Sequence, residues 1–264
     1  MDLATLLPLP PLTMAMLCGL IFLAGFVDSA AGGGGLISLP AFLATGIPSH
    51  LAFGCNKCAS AIGTTFSTLR YFRHGAIDLP VAGVTAVAAF AGSALGSRLL
   101  LLVSDEAFRM AVVCVLPVAA VVILTRRGDA LAKDRSGELG RARKALFAAL
   151  IGFLVGGYDG LVGPGTGTFA IIAFNLLMRY DLRRAGGNAK VMNLASNYAS
   201  LAVMLTAGQV DFAIALPAAA FSIAGHVLGS GMALKRGARF IQPMLVVVMV
   251  LLLGSLASEL VAGA

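Results

Sequence analysis

Apolar residues in this chain come in blocks rather than in alternation. Residues 81–103, 107–125, 194–206, 212–234 and 241–260 are almost wholly apolar. A membrane-spanning helix needs about 20 such residues, so these blocks predict membrane helices. Two further apolar stretches, 36–47 and 169–178, are short for a span. Next to each short stretch lies a glycine-rich interruption carrying one acid. The first reads "GFVDSAAGGGGLISLP" with Asp28, and the second "GGYDGLVGPGTGTF" with Asp159.

Composition turns the pattern into a class. The chain of 264 residues is 59% hydrophobic and 12% charged, with a mean hydropathy of +0.94. A soluble domain is nearer half apolar and a quarter charged. The expected fold is an all-α, multi-pass integral membrane protein whose partner is the lipid bilayer. The net charge of +7 does not point to nucleic acid, because seven of the nineteen basic residues fall within 126–144. That segment, "RRGDALAKDRSGELGRARK", reads as a cytoplasmic loop under the positive-inside rule, with anionic lipid as a further contact. The start, "MDLATLLPLPPL", lacks the basic n-region of a secretory signal.

The chain repeats itself. "AGSALGS" at 91–97 and "AGHVLGS" at 224–230 agree at five of seven positions, at an offset of 133. At the same offset Asp78 matches Asp211, Gly54 matches Gly187, and Lys57 matches Lys190. Asp28 matches Asp159 at 131. Two homologous halves, 1–124 and 145–264, are thus joined by a basic loop at 125–144. With five crossings per half the halves are inverted; with a dipping short segment they are parallel. Five crossings place Arg70, Arg73, Arg179, Arg183, Arg184, Lys235, Arg236 and Arg239 on the side of the basic loop. They place Asp2, Asp105, Glu106 and Glu259 opposite, with Arg98 as the main exception. Loop charge therefore favours inverted repeats.

Inverted repeats point to transport, with a midplane site built from interrupted helices. Irregular backbone in a bilayer belongs where protein or a water-filled cavity surrounds it. Glycine breaks at Gly33, Gly34 and Gly35, and at Gly163, Gly165, Thr166 and Gly167, would begin half-helices. Their free N–H groups and positive dipole ends suit an anion; close helix packing is the alternative. Polar faces follow at helical spacing: Lys57, Ser60 and Thr64 in one half, Lys190, Asn193 and Asn197 in the other. A lysine deep in a membrane costs about 3 kcal/mol on insertion scales. A bound anion, or Asp28 and Asp159, would compensate it; snorkelling to the interface is the other reading. Each lysine is expected near the opening of its helix.

The remaining polar residues say less. Asp78 and Asp211 read as helix N-caps, and His226 as a hydrogen-bonded packing residue, with proton relay as the lesser option. Cys18, Cys55, Cys58 and Cys114 read as small packing residues. "CNKC" at 55–58 has redox spacing without the soluble strand–helix context. No cofactor or metal is expected. No metalloprotease, nucleophile-elbow or phosphate-loop motif occurs.

Taken together, the glycines after Asp28, "FGCNKCASAIGTT", "GAIDLP", "GYDGLVGPGTGTF", "GGNAKVMNLASN" and "GQVD" resemble the sulfite exporter TauE/SafE family, across nearly the whole chain. The glycine stretch at 157–167 is similar to that of the YfcA-like members. The cysteines flanking Lys57 are not part of that pattern. The resemblance implies a bacterial inner-membrane permease for sulfur-containing anions such as sulfite, thiosulfate or an organosulfonate, driven by the proton motive force. The expectation is then a transporter and not an enzyme, with Asp28 and Asp159 balancing the lysines or carrying protons. An anion channel stays open as an alternative, as does a membrane-embedded sulfur redox enzyme using Cys55 and Cys58.

Overall fold

A computed structural model describes residues 9–108, 110, 134–236 and 239–240. The first half contains α1 (Pro11–Ala31), α2 (Gly35–Leu43), α3 (Ser49–Arg73) and α4 (Leu79–Leu100). The second contains α5 (Arg141–Leu161), α6 (Thr166–Met178), α7 (Leu182–Thr206) and α8 (Phe212–Arg236). No strand occurs among the described residues. Helices α1, α4, α5 and α8 are long and apolar enough to cross a membrane. The run 241–260, most of 107–125, residues 126–133 of the basic loop, Cys114, Asp2 and Glu259 lie outside the described residues.

Local chemistry sets the ends. Proline opens α1 at its first position, where its missing N–H costs nothing. Gly32 closes it in the left-handed region at φ 78°, its N–H donating to the Asp28 carbonyl. Helix α2 has only nine residues. At 1.5 Å per residue it reaches about 14 Å, under half of a hydrocarbon core of about 30 Å. Asp181 caps α7 by accepting from the Arg184 N–H at 2.7 Å, and Asp211 caps α8 by accepting from that of Ala213 at 2.8 Å.

Two local expectations need correction. Asp78 sits at the start of α4 but makes no side-chain cap. Its carboxylate accepts from the Tyr180 hydroxyl at 2.7 Å, because a buried phenol needs an acceptor. Nor do Lys57 and Lys190 open their helices. Helix α3 starts at Ser49 and α7 at Leu182, which sets each lysine about two turns inside.

Packing is tightest between halves, and it repeats at matched positions. Helix α1 lies along α8, and α5 lies along α4. A β-carbon on Gly225 would stand 2.2 Å from the Phe22 carbonyl oxygen, and one on Gly92 2.3 Å from that of Phe153. Such contacts need glycine, because backbones touch. Helices α3 and α7 face each other in opposite directions. Lys57 meets Asn197 at 3.3 Å, whereas Thr68, further along α3, donates to the carbonyl of Lys190, earlier along α7, at 3.2 Å.

Basic residues gather at one end of the bundle. Arg184 pairs with Asp134 at 2.9 Å and Arg179 with Glu138. Arg183 donates to the His74 carbonyl at 3.0 Å. At the other end Asp105 accepts from the Ser49 N–H at 3.2 Å.

Candidate functional site

The two glycine interruptions touch. Thr168, in the first turn of α6, donates its N–H to the Gly32 carbonyl at 3.1 Å and its hydroxyl to the Ala31 carbonyl at 2.9 Å. A β-carbon on Gly32 would stand 2.1 Å from the Gly167 carbonyl carbon. Glycine at both positions lets the end of α1 cross the start of α6.

Around this crossing lie two ion pairs, each joining one half to the other. Lys57 on α3 reaches Asp159 on α5 at 2.7 Å. Lys190 on α7 reaches Asp28 on α1 at 2.6 Å. The lysines are only 2% and 1% exposed, so neither snorkels. Removing charges from water costs several kcal/mol per ion, which close pairing and extra hydrogen bonds offset. Those bonds are present. Ser196 donates to Asp159 at 2.6 Å, and Lys57 donates to Asn197 Oδ1 at 3.3 Å. The Lys190 amine donates to the Asp28 carbonyl at 2.5 Å, and the Gly34 N–H donates to Asp28 Oδ1 at 3.3 Å.

A cavity of about 40 Å³ opens among these groups. One water needs roughly 10–15 Å³, so the space suits a few waters or one small ion. The two acids Asp28 and Asp159 line it, as do Lys57, Ser60 and Thr64 from α3 and Asn193 and Asn197 from α7. Gly34 and Gly35 line it at the start of α2, and Gly163, Thr166 and Gly167 at the start of α6. Gly33, Gly165 and Lys190 are not among its walls. Lys190 stands behind Asp28, which it holds by two oxygens.

Sequence reasoning passed over several wall residues. His226, read as a packing residue, lines the cavity 3.3 Å from Asp28. Ser222, one helical turn before it, and Asn56 line it too. The four-residue spacing of Ser222 and His226 on an otherwise small-residue face was the available signal. Asn56 Oδ1 is buried without a hydrogen-bond partner. A buried orphan of this kind is unusual, and it belongs to a residue of the cavity wall. Cys55 and Cys58 are buried free thiols and do not line it. The Cys55 sulfur instead accepts from the Asp211 N–H at 3.4 Å.

Comparison with known proteins gives a consistent result. The family model described as "Sulfite exporter TauE/SafE" matches residues 17–256. A "Probable membrane transporter protein" of Haemophilus influenzae is 36% identical over 236 residues, covering 89% of this chain and 90% of the relative. "Probable membrane transporter protein YfcA" of Escherichia coli K12 is 32% identical over 241 residues, covering 90% and 87%. "Probable membrane transporter protein ORF9" of a Sinorhizobium species is 33% identical over 242 residues, covering 90% of each. No solved structure matches.

Proposed function

We propose, on the premise that this chain belongs to the sulfite exporter TauE/SafE family, that this multi-pass inner-membrane transporter carries a small anion together with a proton. The anion is a sulfur oxyanion or organosulfonate, of the class of sulfite, thiosulfate or sulfoacetate. The observation that carries this reading is the pair of buried Lys–Asp bridges, exchanged between halves around one polar cavity.

The four charges sum to zero. An anion entering this buried space leaves a net negative charge, which is costly in a low-dielectric site. A proton taken up at Asp28 or Asp159 restores neutrality, so anion and proton enter together. Lys57 and the N–H groups of Gly35 and Gly167, at the starts of α2 and α6, would hold the anion. Lys190 would act on Asp28 rather than on the anion.

The halves are read as inverted repeats with glycine-broken helices. The opposite directions of the matched helices α3 and α7 support this, as does the gathering of arginines at one end. Alternating access would follow by rocking one half against the other about the cavity.

The test is transport by the full-length protein in liposomes. Uptake of ³⁵S-sulfite, ³⁵S-thiosulfate and ¹⁴C-sulfoacetate is followed with and without an imposed pH gradient. At least one should enter faster than into protein-free vesicles and respond to the gradient. Background rates for all three would overturn the substrate reading.

A further inference from the structure

The two half-sites are matched in sequence but not in chemistry. Asp28 and Asp159 correspond, yet their third partners differ. Asp159 accepts from Ser196, an ordinary hydroxyl donor. Asp28 Oδ2 stands 3.3 Å from His226 Nε2. At matched positions the half-site of Asp159 has Ser93 where that of Asp28 has His226, and Ser196 where it has Gly63. Gly63 makes room for the ring: a β-carbon there would sit 2.6 Å from His226 Nδ1, and one on Gly25 2.7 Å from it.

Hydrogen-bond logic assigns the protons. His226 Nδ1 is 2.9 Å from the Ser222 carbonyl oxygen, nearer than the Ser222 hydroxyl at 3.3 Å. A carbonyl only accepts, so Nδ1 carries a hydrogen. Nε2 is then the nitrogen that gains or loses one. It faces two oxygens, Asp28 Oδ2 at 3.3 Å and Thr64 Oγ1 at 3.4 Å. A bare Nε2 and a bare carboxylate oxygen are both acceptors and repel at that distance. One proton between them removes the conflict. When that proton leaves, the Thr64 hydroxyl is placed to donate to Nε2. The group has a bonding arrangement for each state, and its members line the cavity.

We infer that His226 and Asp28 share a single exchangeable proton, and that this pair, not Asp159, loads the coupling proton. The inference rests on the proton-coupled reading above and deepens it. The charged and titratable surroundings are these. Helix α1 supplies Asp28, α7 supplies Lys190 on that carboxylate, and α3 supplies Lys57, bridged to Asp159 of α5, and the Tyr71 hydroxyl, which donates to the Ser29 carbonyl. Lys57 and Lys190 each have a carboxylate, and Arg70 of α3 is engaged by the carbonyl of Val227, the residue after His226, to which it donates at 2.9 Å. With the proton bound, the two bridges and the histidine together carry one net positive charge, which one monoanion neutralises. Without it, the same anion meets a neutral site already holding two carboxylates. Asp159 lacks such a neighbour: Lys57 and Ser196 donate to its Oδ2.

The test needs no substrate. The protein has three histidines, and His50→Gln with His74→Gln leaves His226 alone. Full-length protein with ¹⁵N-histidine is studied in nanodiscs by solid-state NMR from pH 5 to 9. The expected result is Nδ1–H throughout, with a protonated Nε2 signal that Asp28→Asn abolishes at the same pH and Asp159→Asn leaves in place. An unprotonated Nε2 over the whole range, or loss of the signal on Asp159→Asn instead, would overturn the inference. A second measurement is the ratio of ³⁵S-sulfite uptake with and without a pH gradient. It should fall from about tenfold or more to near one in His226→Gln. A wild type showing the shared-proton signature but background uptake of sulfite, thiosulfate and sulfoacetate alike would refute the substrate reading and leave the shared proton standing.

Discussion

Lys57→Met removes the cation of a buried pair while leaving its carboxylate. Asp159 would keep the Ser196 hydroxyl at 2.6 Å but lose the amine at 2.7 Å. Its side chain is 4% exposed, so only the few waters the cavity can hold, and not bulk solvent, stand in for the amine. Breaking a buried pair this way costs about 3–5 kcal/mol. For a chain of 150–250 residues, 1 kcal/mol moves Tm by about 2–4 °C, so a fall of about 6–20 °C is expected. Asp159→Asn alone should act in the same direction by leaving Lys57 without an anion. Asp159→Asn in the Lys57→Met background should recover most of the loss, because Asn still accepts from Ser196 and no charge remains unpaired. The assay is thermal unfolding of detergent-purified protein for the wild type, both single variants and the double variant. Costs that simply add would show that the two groups do not interact. A double variant as unstable as that sum would refute the cross-half bridge.

Other outcomes follow from the same geometry. Gly54→Ala and Gly187→Ala should each lower Tm markedly, since the new β-carbons would sit 1.8 Å from the Gln209 carbonyl oxygen and 2.0 Å from that of Ala76; unchanged melting of either would deny the close approach. Cys55→Ser combined with Cys58→Ser should keep transport, because serine preserves size and an acceptor for the Asp211 N–H, and lost uptake in a folded variant would revive thiol chemistry. In a cysteine-free background, a thiol introduced at Gly137 should label from the cytoplasmic side and one at Ala207, exposed after α7, from the other; labelling of both from one side would reject the inverted arrangement. Arg135 beside Glu138, with Arg179, holds the Glu138 carboxyl below the usual carboxylate range. A depressed folded value stabilises above the unfolded pKa of about 4.3 and is lost as pH falls through the folded one. Glu138→Gln should therefore lower Tm slightly at pH 7 and not at acid pH, and an equal effect at both would exclude the ion pair.

Part of the site was legible because its signals are local. A glycine run beside an acid, or a lysine with polar residues at helical spacing, stands out against apolar sequence whatever surrounds it. Asp28, Asp159, Lys57, Ser60, Thr64, Asn193 and Asn197 were marked that way, and all line the cavity. His226 was read as a packing residue first and a proton relay second, because a histidine amid small residues has the same appearance in a packed helix as in a wall. Asp78 misled for a related reason: its position is that of a cap, but its acceptor role is taken by Tyr180, 102 residues away.

Taken alone, the sequence determined the membrane class, since about 20 successive apolar residues leave a helix no better environment than lipid. It also raised the expectation of two matched halves, because spacing is kept in the order of residues. Only the tertiary structure decided which charge meets which. Lys190 and Asp28 lie 162 residues apart, and their pairing depends on how α7 packs beside α1. The same packing turns Lys57 toward the cavity and sets Lys190 behind a carboxylate, so two lysines equivalent in sequence differ in position. Helical spacing fixes the face a side chain occupies within its own helix, but what lies opposite that face is settled only when the helices assemble.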